Sequence, residues 1–423
     1  GPVTSVGQVY LGPFYYYFMA PWLLFSAFDP IGLAYGSAIL SMIFLFLTYL
    51  CVRDLFDEIT AITSSVLIGF SSVLIEFARF SWNPNLLPYF AFFTVYALVK
   101  SIQTSKLKYY LLLGALLSFS IQLHYLALFL IPSVAAVLIA YHFINRSSIK
   151  ITVRNWLYAA GAFILFSIPL IIFDLRHEFI NAKSFATFFT KSGAPSGNFI
   201  NSLQQTMFFF FSYLLTINNY QFIGYFVFLA LLIVIITKYK THQPAGIISF
   251  VSLMLLFGTS LYSGPKYIHY FASLYILYFV MLGYCFAQLS KKRLVLVFCS
   301  SLLLIYTYIQ IPHYLFLNKE GSKQIAKAKT VSTYIYKSIG TKEYVFTTLP
   351  ESYGDSVYRY FLELWGKPPI DRESKDTGEE LFVVCDKPCK PIGDPLWIIA
   401  NFAPRKIVSE KQILDVMVYK LIR

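Results

Sequence analysis

Runs of apolar residues separated by short polar breaks fill the first three quarters of the chain. They recur near 31–52, 59–77, 85–101, 107–122, 124–144, 155–173, 222–237, 246–263, 268–289 and 294–312. Each is close to the roughly 17 to 25 residues that cross about 30 Å of hydrocarbon as a helix. The pattern predicts a mainly α, polytopic transmembrane helix bundle of about ten spans over residues 1–313. After Tyr314 it changes. "KQIAKAKTVSTYIYKSI" sets Ile325, Ala328, Ser332, Ile335 and Ile339 at helical spacing. "YVFTTL", "LFVVC", "WIIANF" and "VMVYKLI" read as short strands, with "SVYRYFLELWG" a helix between the first two. Residues 314–423 are therefore expected to form a small external α/β domain.

Charge gives the bundle an orientation. Arg53, Lys100, Lys106, Lys108, Arg146, Lys150, Arg154, Lys238, Lys240, Lys291, Lys292 and Arg293 fall on alternate loops, twelve cations against five on the opposite loops. Positive loops face the cytoplasm, so the first span enters from outside, and the tail lies outside. The expected location is the plasma membrane, multi-pass, with the bilayer as partner. The net charge of +13 resides mostly in these short loops, which makes it topological and argues against nucleic acid.

The same parity places residues 1–28 outside. "FYYYFMAPWLLFSAF" is apolar but broken by Pro21 and rich in tyrosine, as in a helix lying in the interface; a tilted crossing helix is the alternative. An external start with no translocation signal is the expectation of a chain cut inside a longer protein, with a transmembrane helix ahead of Gly1.

Residues 1–313 hold seven carboxylates. Asp54, Asp57 and Glu58 fall on a cytoplasmic loop, whereas Asp29, Glu76, Asp174 and Glu178 fall outside. With the latter stand Arg79, His124, Arg176, His177, Lys183, Lys191, Lys266 and His269, at span ends or in external loops. Each alone reads as a solvated or snorkelling group. Together, cations, acids and imidazoles above a wall of aromatic rings suit a phosphorylated lipid. Three stretches concentrate them: "EFARFSWNPNLLPYF" with Glu76, Arg79 and Asn83, "FDLRHEFINAKSF" with Asp174, Arg176, His177 and Glu178, and "SGPKYIHYF" with Lys266, Tyr267 and His269. The first also reads as a Pro-Asn turn, the second as a charged interfacial helix. The chain contains no Gly-rich phosphate loop, HExxH or GxSxG. Cys51, Cys285 and Cys299 lie in spans as small apolar fillers, while Cys385 and Cys389 are spaced for a local disulfide.

"GQVYLGPFYYYFMAP" before a span, then "ARFSWNPNLLPYFAFF", "QLHYLALFLIP" and "FDLRHEF", resembles the bacterial branch of glycosyltransferase family 39. That family includes protein O-mannosyltransferases and lipid A aminoarabinose transferases, of the membrane C-type glycosyltransferase fold. The resemblance implies transfer of a sugar from a polyprenyl-phosphate carrier to an external glycan, lipid or protein. It also implies a catalytic carboxylate near the start of the first external loop, which is expected upstream of Gly1; within the chain, Glu76, Asp174 and Glu178 are the fallback. Arg79, Arg176 and Lys266 are candidates for the lipid phosphate, with His177 and His269 as helpers and Tyr267, His124 and Asn83 also lining the substrate site. No cofactor is implied with certainty: divalent metal use varies across the fold, and Glu76, Asp174, Glu178 and His124 are the available ligands. Two other classes compete. A transporter or lipid-linked sugar flippase would show paired, Gly/Pro-interrupted segments in two halves and charges at mid-membrane, and a non-catalytic assembly or receptor protein would rest on the external domain.

Overall fold

The computed structural model describes residues 5–6, 9–145, 149–187, 199–216, 242–262, 264–290, 293–372 and 374–423, with residues 226, 228, 229, 233 and 237. The chain divides into two compact units, Gly1–Lys319 and Glu320–Arg423.

The first unit is helical. A short hairpin, β1 (Ser5–Val6) and β2 (Val9–Tyr10), leads into α1 (Phe14–Phe25), α2 (Ile31–Leu55), α3 (Glu58–Phe70), α4 (Ser72–Arg79), α5 (Leu87–Thr104), α6 (Leu107–Leu123), α7 (Leu130–Asn145) and α8 (Ile149–Arg176). Then follow α9 (Ile180–Thr187), α10 (Phe199–Leu215), α11 (Gln243–Ser260), α12 (Tyr275–Leu289), α13 (Arg293–Gln310) and the single turn α14 (Leu315–Asn318). Among the described residues, six helical stretches are long and apolar enough to cross a membrane: Ile31–Leu55, Asn83–Thr104, Tyr125–Ile144, Val153–Arg176, Gln243–Ser260 and Arg293–His313. Two apolar helices, α6 and α12, are shorter. The predicted span at 222–237 lies largely outside the described residues. Helix α1 has 12 residues, about 18 Å at 1.5 Å per residue, too short to cross alone.

Three sequence expectations change in detail. The run at 59–77 is two helices bent by 62° at Ser71: that residue takes an extended backbone, ends α3, and turns its hydroxyl back to accept from Leu74 N. Gln310 Oε1 accepts the Ser72 N–H at 2.8 Å in the buried break. In the run at 268–289 the α-helix starts only at Tyr275, preceded by a 3₁₀ turn at Ile268–Phe271. The stretch left between the expected spans at 155–173 and 222–237 contains α9 and α10. The apolar half of α10, "MFFFFSYLL", buries Met207, Phe210, Phe211 and Leu214, but its first turns are polar, so no full-length apolar run marks it.

Packing inside the unit relies on small residues, as expected where lipid offers no hydrophobic drive between helices. A side chain at Gly36 would collide with the Trp22 ring, and one at Gly114 with the Ala159 carbonyl. Close approach of α6 and α8 lets Ser118 and Ser167 pair at 2.8 Å and Gln122 Nε2 donate to Phe166 O at 3.0 Å. The first half of helix α12, Tyr275 to Met281, is buried throughout, while Leu157, Ile164 and Leu165 of α8 and Leu294, Val297 and Leu304 of α13 are exposed, which suits helices with an outer face in hydrocarbon. At the C-terminal ends of α2 and α5, Lys100 pairs with Asp54 at 3.0 Å and Arg53 with Glu58 at 3.9 Å. The N-terminal end of α5 points to the opposite end of the bundle, where the candidate site lies.

The second unit is an α/β fold. It comprises α15 (Gln324–Ser338), β3 (Tyr344–Leu349), α16 (Ser356–Leu364), β4 (Glu380–Cys385), α17 (Trp397–Phe402), β5 (Lys406–Ile413) and β6 (Val416–Ile422). The sheet order is β3-β4-β6-β5, with β3 and β4 parallel and the other pairs antiparallel. Alternate residues serve opposite faces. Phe346, Phe382, Val384 and Val418 pack with Val331, Ile335, Phe361 and Leu362 of α15 and α16, whereas Leu381, Val383, Tyr419 and Leu421 pack with Ile399 and Phe402 of α17. Thus "WIIANF", expected as a strand, is a helix. A six-residue apolar run between prolines 395 and 404 carries no periodicity that separates the two, and burial of Ile399 and Phe402, three apart, decides it. Strand β5 escapes the apolar pattern because it is a charged, exposed edge. Cys385 and Cys389 are disulfide-bonded.

Candidate active site at one end of the helical unit

Three connections meet at this end. The first links α4 to α5. Trp82 is extended, and Asn83-Pro84-Asn85-Leu86 forms a 3₁₀ turn with proline in its first turn. Asn85 Nδ2 donates to Phe80 O at 2.7 Å, which leaves Oδ1 as its acceptor. Asn83 and Asn85 are both buried, and neither Asn83 Nδ2 nor Asn85 Oδ1 has a hydrogen-bond partner among the described residues.

The second connection follows α6. His124 leaves the helical backbone, and its Nδ1 accepts from Leu126 N at 3.3 Å, capping the 3₁₀ turn Tyr125–Phe129. An imidazole that accepts on Nδ1 carries its proton on Nε2. That Nε2 is buried and has no hydrogen-bond partner among the described residues, with the residue 1% exposed.

The third runs from α11 to α12. Lys266 is 5% exposed; its Nζ donates to Thr259 O at 3.2 Å and to Tyr262 O. Both carbonyls lie at the end of α11 and also accept elsewhere, Thr259 O from Tyr262 N at 3.3 Å and Tyr262 O from the Ser202 hydroxyl at 3.3 Å; a cation there meets the negative end of the helix dipole. Burial pulls its ammonium down to about 8. Its Nζ stands 5.2 Å from the Tyr262 ring centre. The His269 ring lies 4.6 Å from Trp82, 5.4 Å from His124 and 4.6 Å from Tyr270. Tyr270 in turn lies 5.3 Å from Tyr262 and 5.5 Å from Tyr267.

Five sequence candidates, Asn83, His124, Lys266, Tyr267 and His269, are therefore linked through neighbouring rings and turns. Tyr125, Tyr262, Tyr270 and Asn85 complete the cluster; among 33 tyrosines only adjacency to His124, Lys266 and His269 sets these three apart.

The other candidates sit apart from it. Asp174 accepts from Asn181 N at 2.7 Å and Ala182 N at 3.4 Å, holding the start of α9, and Asn181 pairs with the Tyr10 backbone at 2.7 and 3.1 Å. This carboxylate ties α8 to the hairpin. Arg176 is exposed. His177 stacks on Phe173 at 4.1 Å and shares a hydrogen bond with its carbonyl at 2.8 Å. Glu178 faces Lys183 at 3.8 Å, both exposed. Arg79, also exposed, stands 4.4 Å over the Phe316 ring. Glu76, one turn before it in α4, is half-buried. Lys191 lies outside the described residues. No three His, Cys, Asp or Glu side chains among the described residues are grouped as metal ligands.

Residues 11–173 match a family model described as dolichyl-phosphate-mannose-protein mannosyltransferase. Among solved structures, ArnT from Cupriavidus metallidurans bound to undecaprenyl phosphate is similar with a TM-score of 0.57 and 11% identity, over 97% of this chain and 87% of that one. Its apo form gives 0.58 and 12% over the same shares. The archaeal oligosaccharyltransferase AglB from Archaeoglobus fulgidus, in complex with an inhibitory peptide and a dolichol-phosphate, gives 0.47 and 10%, over 88% of this chain and 61% of that one. No curated protein matches the sequence. The match to ArnT spans both the helical unit and the small sheet, so the chain has a family-39-like membrane C-type glycosyltransferase fold.

Proposed function

We propose that the protein is a membrane glycosyltransferase that moves a sugar from a polyprenyl-phosphate donor to an acceptor on the external side of the plasma membrane. The observation that carries this reading is the cluster at one end of the bundle: a buried lysine, two imidazoles and a wall of aromatic rings. It stands on a fold shared with an ArnT whose structure is described as bound to undecaprenyl phosphate. In the reaction, an acceptor oxygen bonds to the anomeric carbon while the bond from that carbon to the phosphate oxygen breaks. The phosphate departs with the electron pair, and the acceptor proton passes to a carboxylate. Lys266 would meet the negative charge that grows on the phosphate. The rings of Trp82, Tyr267 and Tyr270 would pack on lipid or sugar.

Of the in-chain carboxylates, Asp174 is engaged by two backbone N–H groups and Glu178 by Lys183. Glu76 is the one to test as the base. The second unit, residues 320–423, lies on the external side in this reading, where its disulfide would persist.

The test is sugar transfer by the purified protein in lipid vesicles, using polyprenyl-phosphate sugars as donors. Transfer that requires Lys266 supports the reading. Passage of the lipid-linked sugar across the bilayer without transfer would make the chain a transporter or flippase instead.

A further inference from the structure

The cluster contains three polar atoms that are buried without a hydrogen-bond partner among the described residues: Asn83 Nδ2, Asn85 Oδ1 and His124 Nε2. A buried polar group without a partner is costly, so three such atoms on two connections linked by the Trp82–His269–His124 ring contacts are expected to have a use. All three are neutral. Two are donors, since His124 Nδ1 is taken by Leu126 N, and one is an acceptor, since Asn85 Nδ2 is taken by Phe80 O. A phosphate only accepts and would leave Asn85 Oδ1 unmatched. A hydroxyl group both donates and accepts. The neighbouring rings point the same way: Trp82 and His269, 4.6 Å apart and both partly exposed, offer faces of the kind that pack on the C–H face of a sugar.

We propose that Asn83, Asn85 and His124 form the subsite for the hydroxyl groups of the transferred sugar, with Trp82 and His269 as its movable cover. Resting on the glycosyltransferase reading above, the assignment separates two tasks. Lys266 serves the phosphate, and the neutral amides and imidazole read the sugar. The sugar reaches the three atoms when the rings of Trp82 and His269 turn aside. A site built from neutral hydrogen-bonding groups discriminates by leaving them unpaired with the wrong ligand.

The experiment uses the full chain in lipid nanodiscs. It measures binding of undecaprenyl phosphate alone and of the same lipid carrying mannose, glucose, galactose or 4-aminoarabinose. Wild type is expected to bind one sugar-bearing form more tightly than the bare lipid. His124→Asn keeps an oxygen for Leu126 N and removes the Nε2–H; Asn83→Leu removes the amide. Each is expected to weaken the sugar-bearing lipid about ten-fold, the equivalent of one buried hydrogen bond, and to leave the bare lipid unchanged. Thermal stability should hold or rise, because these atoms have no hydrogen-bond partner among the described residues. If His124→Asn does not purify as a monodisperse protein, Asn83→Leu carries the test. Equal losses for both lipids, no loss for either, or a wild type that prefers no sugar-bearing form would each overturn the subsite. A wild type that binds none of the lipids would overturn the glycosyltransferase reading with it, whereas normal sugar-donor binding by variants of a transferring enzyme would remove the subsite alone.

Discussion

Lys266 is the residue whose environment differs most from what its sequence context suggests. "SGPKYIHY" reads as an exposed turn, yet the ammonium is buried against two carbonyls and titrates near 8. Its folded value lies below the ordinary one, so between about pH 8 and that value the unfolded chain holds a proton the folded chain has lost. Stability contributed by this group therefore rises with pH across that window, while the positive charge available to a phosphate falls. Donor binding is accordingly expected to drop as pH passes through about 8, with the limb moved to higher pH in Lys266→Arg; a flat profile between pH 7 and 9 would separate this lysine from the phosphate. Glu76→Gln tests the in-chain fallback: a fall in single-turnover transfer of about 10² to 10⁴-fold with equilibrium donor binding retained would make Glu76 the general base, and unchanged transfer would place the carboxylate elsewhere. The candidates divide as they do for a simple reason. Asp174, His177 and Glu178 follow one another along the end of α8, so local backbone and neighbouring side chains satisfy them. Asn83, His124 and Lys266 come from connections far apart in sequence, and only folding brings them near one another.

At the scale of elements, long apolar runs were legible because their length alone carries the signal, and breaks inside them were not. Ser71 looks like any small residue in "LIGFSSVLIEF", but it ends one helix and caps the next. That α6 and α8 touch through Gly114 could not be read either, since a glycine in an apolar run is compatible with many neighbours. The contact makes a sharp expectation: Gly114→Val must displace the Ala159 carbonyl, and overpacking of this kind costs about 1 to 3 kcal/mol. Thermal unfolding in detergent should fall measurably, while Gly161→Ala, where nothing lies within 4 Å, should leave it unchanged. Strands β3, β4 and β6 stood out in the sequence as apolar runs, β4 most continuously because both of its faces are covered. The edge strand β5 and the short helix α17 differ from a loop and a strand only through what they pack against.

As a whole molecule, the chain carries a hydrophobic core in each of its two units, and the second has one on both faces of its sheet. Residues 320–423 expressed alone are expected to fold and unfold cooperatively by circular dichroism; a featureless spectrum would count against an autonomous unit. Within it, Asp355 is 3% exposed, contacts Arg359 at 2.7 Å and pairs with Arg372, and burial lowers the Arg359 value. Asp355→Ala leaves that guanidinium without its carboxylate and should cost about 3 to 5 kcal/mol in urea unfolding of the unit. Composition and apolar run length alone determined that the protein is a mainly helical membrane protein with a charged α/β tail, because transfer of about 20 residues into hydrocarbon is a local, additive property of the chain. Loose motif order was enough to point to a family-39-like fold. Which polar residues share a site was decided only by the tertiary structure. That Asn83 Nδ2, Asn85 Oδ1 and His124 Nε2 are buried without a hydrogen-bond partner among the described residues depends on what the rest of the chain places around them, and no local property of the sequence contains that.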